Sequence, residues 1–285
     1  MFNSYQKARI FLSTAAAACF LIFLAAGKTF GLPPVAGFDG SLLEQPSPLV
    51  SLIVVLIVLL MATLIGTLIS RTIRFDAGLF GATFGMVALS IRGGTMSDVL
   101  RNAVGTGIFF KLAVETILLF AFIAIAWRLL WLLNSRGWLL RDALRDGIED
   151  DDDEDTQRRI LAIGIQVVVM IVVMLFSAQA DAKYQAVASV FISSLLGTYA
   201  AYYFAPTATS IWYWIGPMIV AVIGYLIAMA NPEGWNIGQL SGFLAPLARP
   251  IPLDYASVGT AGAILGFWMS RRWRRSMEIG EPQPN

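Results

Sequence analysis

The sequence predicts an all-α fold: a polytopic transmembrane helical bundle of about eight spans with both chain ends in the cytoplasm. Three observations predict it. Apolar residues make up 57% of the 285 residues and charged residues 14%, where a soluble domain carries about 45–50% and about 25%. The apolar residues come in blocks of fifteen or more rather than in short alternating runs. The basic residues cluster in the gaps between alternate blocks.

The blocks follow in order along one membrane domain, residues 1–285. Span one covers about 10–27, after Lys7 and Arg9. Those two charges and the small run Ala25-Ala26-Gly27 also fit a secretory signal peptide; the long apolar core favours an uncleaved anchor. Span two, 50–70, is free of charge, and span three, 77–91, is short. Span four, 107–133, contains Lys111, Glu115 and, near its end, Arg128. Spans five, six and seven cover 160–177, 184–204 and 211–230, and span eight, 256–270, is short again. Crossing about 30 Å of hydrocarbon takes roughly 20 residues. Spans three and eight therefore thin the bilayer, sit among other helices, or enter it only partway.

Orientation follows from the loop charges. With the N-terminus in the cytoplasm, thirteen of the 20 basic residues face inward: Lys7, Arg9, Arg71, Arg74, Arg136, Arg141, Arg145, Arg158, Arg159, Arg271, Arg272, Arg274 and Arg275. Five face outward: Lys28, Arg92, Arg101, Lys183 and Arg249. Seven of the 8 tryptophans, all but Trp235, fall at the same cytoplasmic face, where indole rings prefer the interface. The expected location is a cell membrane of the bacterial cytoplasmic type, crossed several times. The expected partners are the bilayer itself and, at Arg271, Arg272, Arg274 and Arg275, anionic lipid.

Two loops stand out. The cytoplasmic loop 134–159 starts as an amphipathic stretch and ends in seven consecutive acids, Glu149–Asp155. The run reads either as a solvated, self-repelling linker or as a docking site for a basic protein partner. The outer loop 231–255 combines Trp235, Ile237, Leu240, Phe243, Leu244 and Leu247 with four prolines. It is too apolar for water and too rich in proline for a regular helix, so it lies on the outer interface or folds back over the bundle.

Composition removes whole classes of chemistry. The chain has no histidine, which excludes Ser-His-Asp catalysis, His-ligated metal and His proton relays. Its one cysteine, Cys19, excludes an intrachain disulfide and a CxxC pair. A net charge of +1 argues against nucleic acid. No cofactor, metal site or catalytic residue is expected.

Three features exceed a plain bundle. Spans three and eight carry the same pattern, Gly78, Gly81, Gly85 and Gly259, Gly262, Gly266, each preceded by an aspartate (Asp76, Asp254). The pattern reads as helix packing through small residues or as an inverted repeat around a transport site, in which spans one and two correspond to six and seven. In span four, Lys111 and Glu115 sit one turn apart, about 6 and 12 Å deep counted from Gly107. Glu115 is either a coupling carboxylate or half of a static pair neutralised by Lys111. In span six, Asp181, Gln185, Ser189 and Ser193 recur every four residues and either line a solute path or pack against a neighbour. Gln166 in span five is an isolated amide in need of a partner. The function expected from these residues is small-solute or ion transport, with Glu115, Lys111, Gln166, Ser189 and Ser193 as candidates. A structural or assembly subunit of a membrane complex is the second reading, and a membrane-embedded lipid-modifying enzyme the third.

Overall fold

The computed structural model describes residues 4–30, 41–70, 76–102, 107–135, 156–207, 211–230, 235–236, 239–240 and 245–280. Its helices are α1 (Ser4–Thr29), α2 (Pro48–Ser70), α3 (Ala77–Gly85), α4 (Val87–Arg92), α5 (Met96–Asn102) and α6 (Gly107–Ser135). They continue with α7 (Thr156–Ser177), α8 (Lys183–Phe204), α9 (Ile211–Ala230), α10 (Ala245–Ala248), α11 (Pro252–Asp254) and α12 (Thr260–Gly280). A π-helical turn, Tyr255–Gly259, joins α11 to α12. One two-residue ladder pairs Trp235–Asn236 (β1) antiparallel with Gln239–Leu240 (β2).

Among the described residues, six helices are long and apolar enough to cross a membrane: Ala8–Thr29, Pro48–Ser70, Gly107–Leu133, Thr156–Ser177, Lys183–Phe204 and Ile211–Ala230. The chain is a multi-pass membrane protein built as a helical bundle. Of the two short sequence segments, the first becomes the shorter apolar stretch Ala77–Arg92, broken at Met86 between α3 and α4. The second belongs to a longer helical run, from Pro252 through the π turn to Gly280. It looked short because Arg271, Arg272, Arg274 and Arg275 end the apolar stretch before the helix ends.

Water does not drive helices together inside lipid, so close backbone approach and hydrogen bonds must. The glycines provide that approach. α1, α2 and α3 pack against one another as a trio. A Cβ on Gly85 would sit 2.6 Å from the carbonyl carbon of Cys19, and one on Gly66 would sit 2.9 Å from the Gly78 oxygen. One on Gly78 would run into the Thr67 hydroxyl. α12 packs on α8 in the same manner. A Cβ on Gly262 would sit 2.6 Å from the Phe191 oxygen, and one on Gly266 would strike the Leu195 oxygen.

The outward faces are greasy. Val50, Ile53, Ile57 and Met61 of α2 and Val168, Val172 and Phe176 of α7 are all exposed, as lipid-facing side chains must be. One end of the bundle is aromatic and basic. Tyr202 packs on Phe267 at 5.3 Å and Trp127 on Trp214 at 6.1 Å, while Arg159 lies over Trp212 and Arg128 over Trp131. The acidic run Glu149–Asp155, Arg71, Arg74, the side chain of Arg275 and residues 231–234, 237–238 and 241–244 of the outer loop fall outside the described residues.

Candidate functional site

Glu115 lies on α6 with its side chain fully buried, 0% exposed. The connection between α1 and α2 comes down onto it. The Ser41 hydroxyl donates to Glu115 Oε2 at 2.6 Å, and the Leu43 N–H donates to the same oxygen at 3.3 Å. The Gln45 amide donates to the Ser41 carbonyl at 3.3 Å and ties that short turn together. Glu115 Oε1 has no hydrogen-bond donor among the described residues.

Lys111 does not neutralise Glu115. Its Nζ lies 2.6 Å from Glu44 Oε1, with Lys111 56% and Glu44 33% exposed. Two residues four apart on a helix are neighbours, which made the internal pair the natural expectation. A lysine near a helix end instead extends its ammonium toward water, and there it meets Glu44 of the α1–α2 connection.

Residues 246–255 of the outer loop are folded into the bundle. Leu247, Ala248, Ile251 and Leu253 are buried. Proline and short helix breaks leave backbone carbonyls without helical partners, and in a bundle core these need donors. The Tyr255 hydroxyl donates to the Leu247 oxygen at 2.6 Å, and the Tyr225 hydroxyl donates to the Pro250 oxygen at 2.6 Å. The two rings meet edge to face, 6.4 Å apart. Gly224 of α9 is required here, because a Cβ would sit 2.7 Å from the Leu247 oxygen. α6, which carries Glu115, packs against both α9 and α11, so this re-entrant segment and the helix of the buried carboxyl are neighbours.

A second polar cluster forms around Asp254. Asp254 is buried, and its Oδ1 lies 2.6 Å from Lys183 Nζ. The Ser90 hydroxyl donates to that oxygen as well, and the Ile251 N–H donates to Oδ2 at 2.9 Å. Three elements, α4, α8 and α11, are thereby joined. Near it, Asp181 accepts the Ser97 N–H at 3.1 Å and Arg249 donates to the Ala178 carbonyl. The sequence reading missed this ion pair. Lys183 and Asp254 both follow from the predicted topology as outer residues, and that shared face was the signal that could pair them.

The remaining candidates lie elsewhere. Ser189 and Ser193 are buried on α8, and Ser193 bonds the Val190 carbonyl of its own helix at 3.1 Å. Their neighbour Ser194 donates to the Gly259 carbonyl in the π turn at 2.6 Å. Gln166 has found its partners. Its amide N–H groups donate to Thr198 Oγ1 at 2.8 Å and to the Tyr213 carbonyl at 2.7 Å, while Oε1 has no donor among the described residues. Gly216 faces that amide at a distance no Cβ would tolerate. Glu115, the α8 serines and Gln166 each keep different hydrogen-bond partners, though Gln166 reaches Thr198 one turn beyond Ser194 on α8. The π turn packs against α3, α4, α6, α8 and α9 and is the element nearest to linking them; π turns recur at functional sites. Among the described residues, no three His, Cys, Asp or Glu side chains converge as metal ligands would.

No protein-family model matches the chain, and neither a curated protein nor a solved structure matches it.

Proposed function

We propose that this membrane protein moves a small solute or ion across the bilayer, with Glu115 as the group that takes up and releases the coupling proton or cation. One observation carries the reading. Glu115 is sealed inside a span with one oxygen served by two donors, the other by none, and its nearest lysine committed to Glu44. A carboxyl kept at that depth is costly, and such residues mark ion and proton routes in membrane proteins.

An eight-span arrangement with both ends in the cytoplasm, built on an inverted repeat, suits this function. The glycine contacts support it. The first glycine of each triplet meets the second helix of its unit, Gly78 against Thr67 and Gly259 against Pro217. The second and third meet the first helix, Gly81 and Gly85 against Ala15 and Cys19, Gly262 and Gly266 against Phe191 and Leu195. Units related in this way place a substrate near the midplane and expose it to the two sides in turn. A bacterial-type cytoplasmic membrane is the setting that the loop charges favour, with anionic lipid at Arg271, Arg272, Arg274 and Arg275.

The test is flux in reconstituted vesicles, followed with a panel of ion-sensitive and proton-sensitive dyes. The wild-type chain is expected to move at least one of them, and Glu115→Gln to lose that flux. Equal flux from both, or none from either, overturns the reading. The second reading is a structural subunit of a membrane complex, favoured by how completely neighbouring backbone fills the glycine faces. It predicts that deleting Glu149–Asp155 releases a co-purifying protein.

A further inference from the structure

The two glycine-bearing runs lie antiparallel, and each opens with an aspartate bonded to the far end of the other. Asp76, before α3, accepts the Trp268 Nε1–H of α12 at 2.9 Å. Asp254, ending α11, accepts the Ser90 hydroxyl of α4. The spacing is reciprocal. Asp76 stands two residues before Gly78 and Trp268 two after Gly266; Asp254 stands five before Gly259 and Ser90 five after Gly85. The helix pair is therefore closed by a polar contact at each of its two mouths.

The mouths differ in strength. At one, Asp254 also holds the Lys183 ammonium at 2.6 Å, and Asp98 and Asp181 add negative charge around that lysine. At the other, Asp76 takes a neutral indole whose ring leans on Phe80 at 5.2 Å. Between them each run carries a discontinuity, the break at Met86 in one and the π turn in the other. Interruptions of this kind are where helices bend.

We propose that these two contacts are the gates of the transport path. The Asp254–Lys183–Ser90 clasp closes its outer side, and the Asp76–Trp268 clasp closes its cytoplasmic side. The path opens to one side at a time, by release of one clasp while the other holds. The assignment rests on the transport reading above, and it makes Lys183 and Trp268 positioning residues rather than ligands of the solute.

Thiol accessibility tests it. The only cysteine, Cys19, is buried, so single reporters can be added to the full-length chain, with the parent chain as background. Leu89→Cys lies beside the Ser90 clasp and Ile264→Cys one turn from Trp268; both positions are fully buried. The protein is reconstituted in vesicles and treated with a membrane-impermeant thiol reagent on either side. Asp254→Asn is expected to speed reaction at position 89 from outside at least tenfold and to leave position 264 unchanged or slower. Trp268→Phe, which keeps the ring against Phe80 but removes the N–H, is expected to speed reaction at 264 from inside at least tenfold and to spare 89. Lys183→Arg keeps the outer charge pair and is expected to keep 89 protected. Variants that expose both reporters, or neither, overturn the gating assignment. If Asp254→Asn does not fold, Ser90→Ala carries the outer arm with the same criteria. Loss of transport itself is judged separately by the Glu115→Gln flux. Reporters that respond in a protein without flux reject the transport reading and leave two opening clasps.

Discussion

Lys111 reaches out to Glu44, 2.6 Å away, and leaves Glu115 one turn deeper without a cation among the described residues. An exposed pair of this kind contributes at most about 1 kcal/mol. Lys111→Met is therefore expected to shift thermal unfolding in detergent by less than that, and to leave flux intact. A loss several times larger would show that the lysine does neutralise Glu115.

The glycine contacts make a paired prediction. Gly85→Val forces side-chain atoms into the α1 backbone at Cys19, a clash expected to cost about 1–3 kcal/mol. Gly164→Ala, on a face with nothing within 4 Å, is expected to be harmless or to gain up to about 1 kcal/mol from helix propensity. Melting curves of the two purified variants separate packing from backbone preference.

Ser194 supplies a hydrogen bond to the Gly259 carbonyl, whereas Ser193 bonds only its own helix. Ser194→Ala is expected to cost about 1 kcal/mol and to raise amide hydrogen exchange in residues 259–264. Ser193→Ala is expected to leave exchange there unchanged. Equal effects would mean that the π turn does not depend on α8.

The re-entrant segment hangs on two phenols. Removing both hydroxyls, in Tyr225→Phe with Tyr255→Phe, strips the Leu247 and Pro250 carbonyls of their donors. The expected cost is about 1–3 kcal/mol for each carbonyl left buried without a donor. Limited proteolysis should then cut near 245–250 before the rest of the bundle opens, and uniform resistance would contradict this.

What could be read in advance and what could not divides along physical lines. Spans are long apolar runs, so helices such as Pro48–Ser70 and Ile211–Ala230 were plain from composition. The glycine triplets were plain as well, because only a missing side chain lets backbones touch. The Lys183–Asp254 pair was hidden, since its partners are 71 residues apart and each counts as a loop charge when taken alone. The fate of Lys111 was hidden for a related reason: its partner Glu44 comes from a connection that carries no periodic signal. Gln166 was marked as needing a partner, but nothing in its own helix could name Thr198 and the Tyr213 carbonyl.

That amide has one more consequence. Along the rod of α7 the buried positions Ala162, Gln166, Met170 and Met174 fall four apart in a strip, flanked by the half-buried Ile165, Val167 and Ile171, while Val168, Val172 and Phe176 face out. Lipid is indifferent to which apolar side such a rod turns toward it. The single amide, docked between α8 and α9, acts as the key in a keyway that sets the rod's rotation. With a leucine in its place α7 stays inserted, and its rotation rests on what remains of the strip, Met170 against Gly197 and Met174 under the Tyr255 hydroxyl.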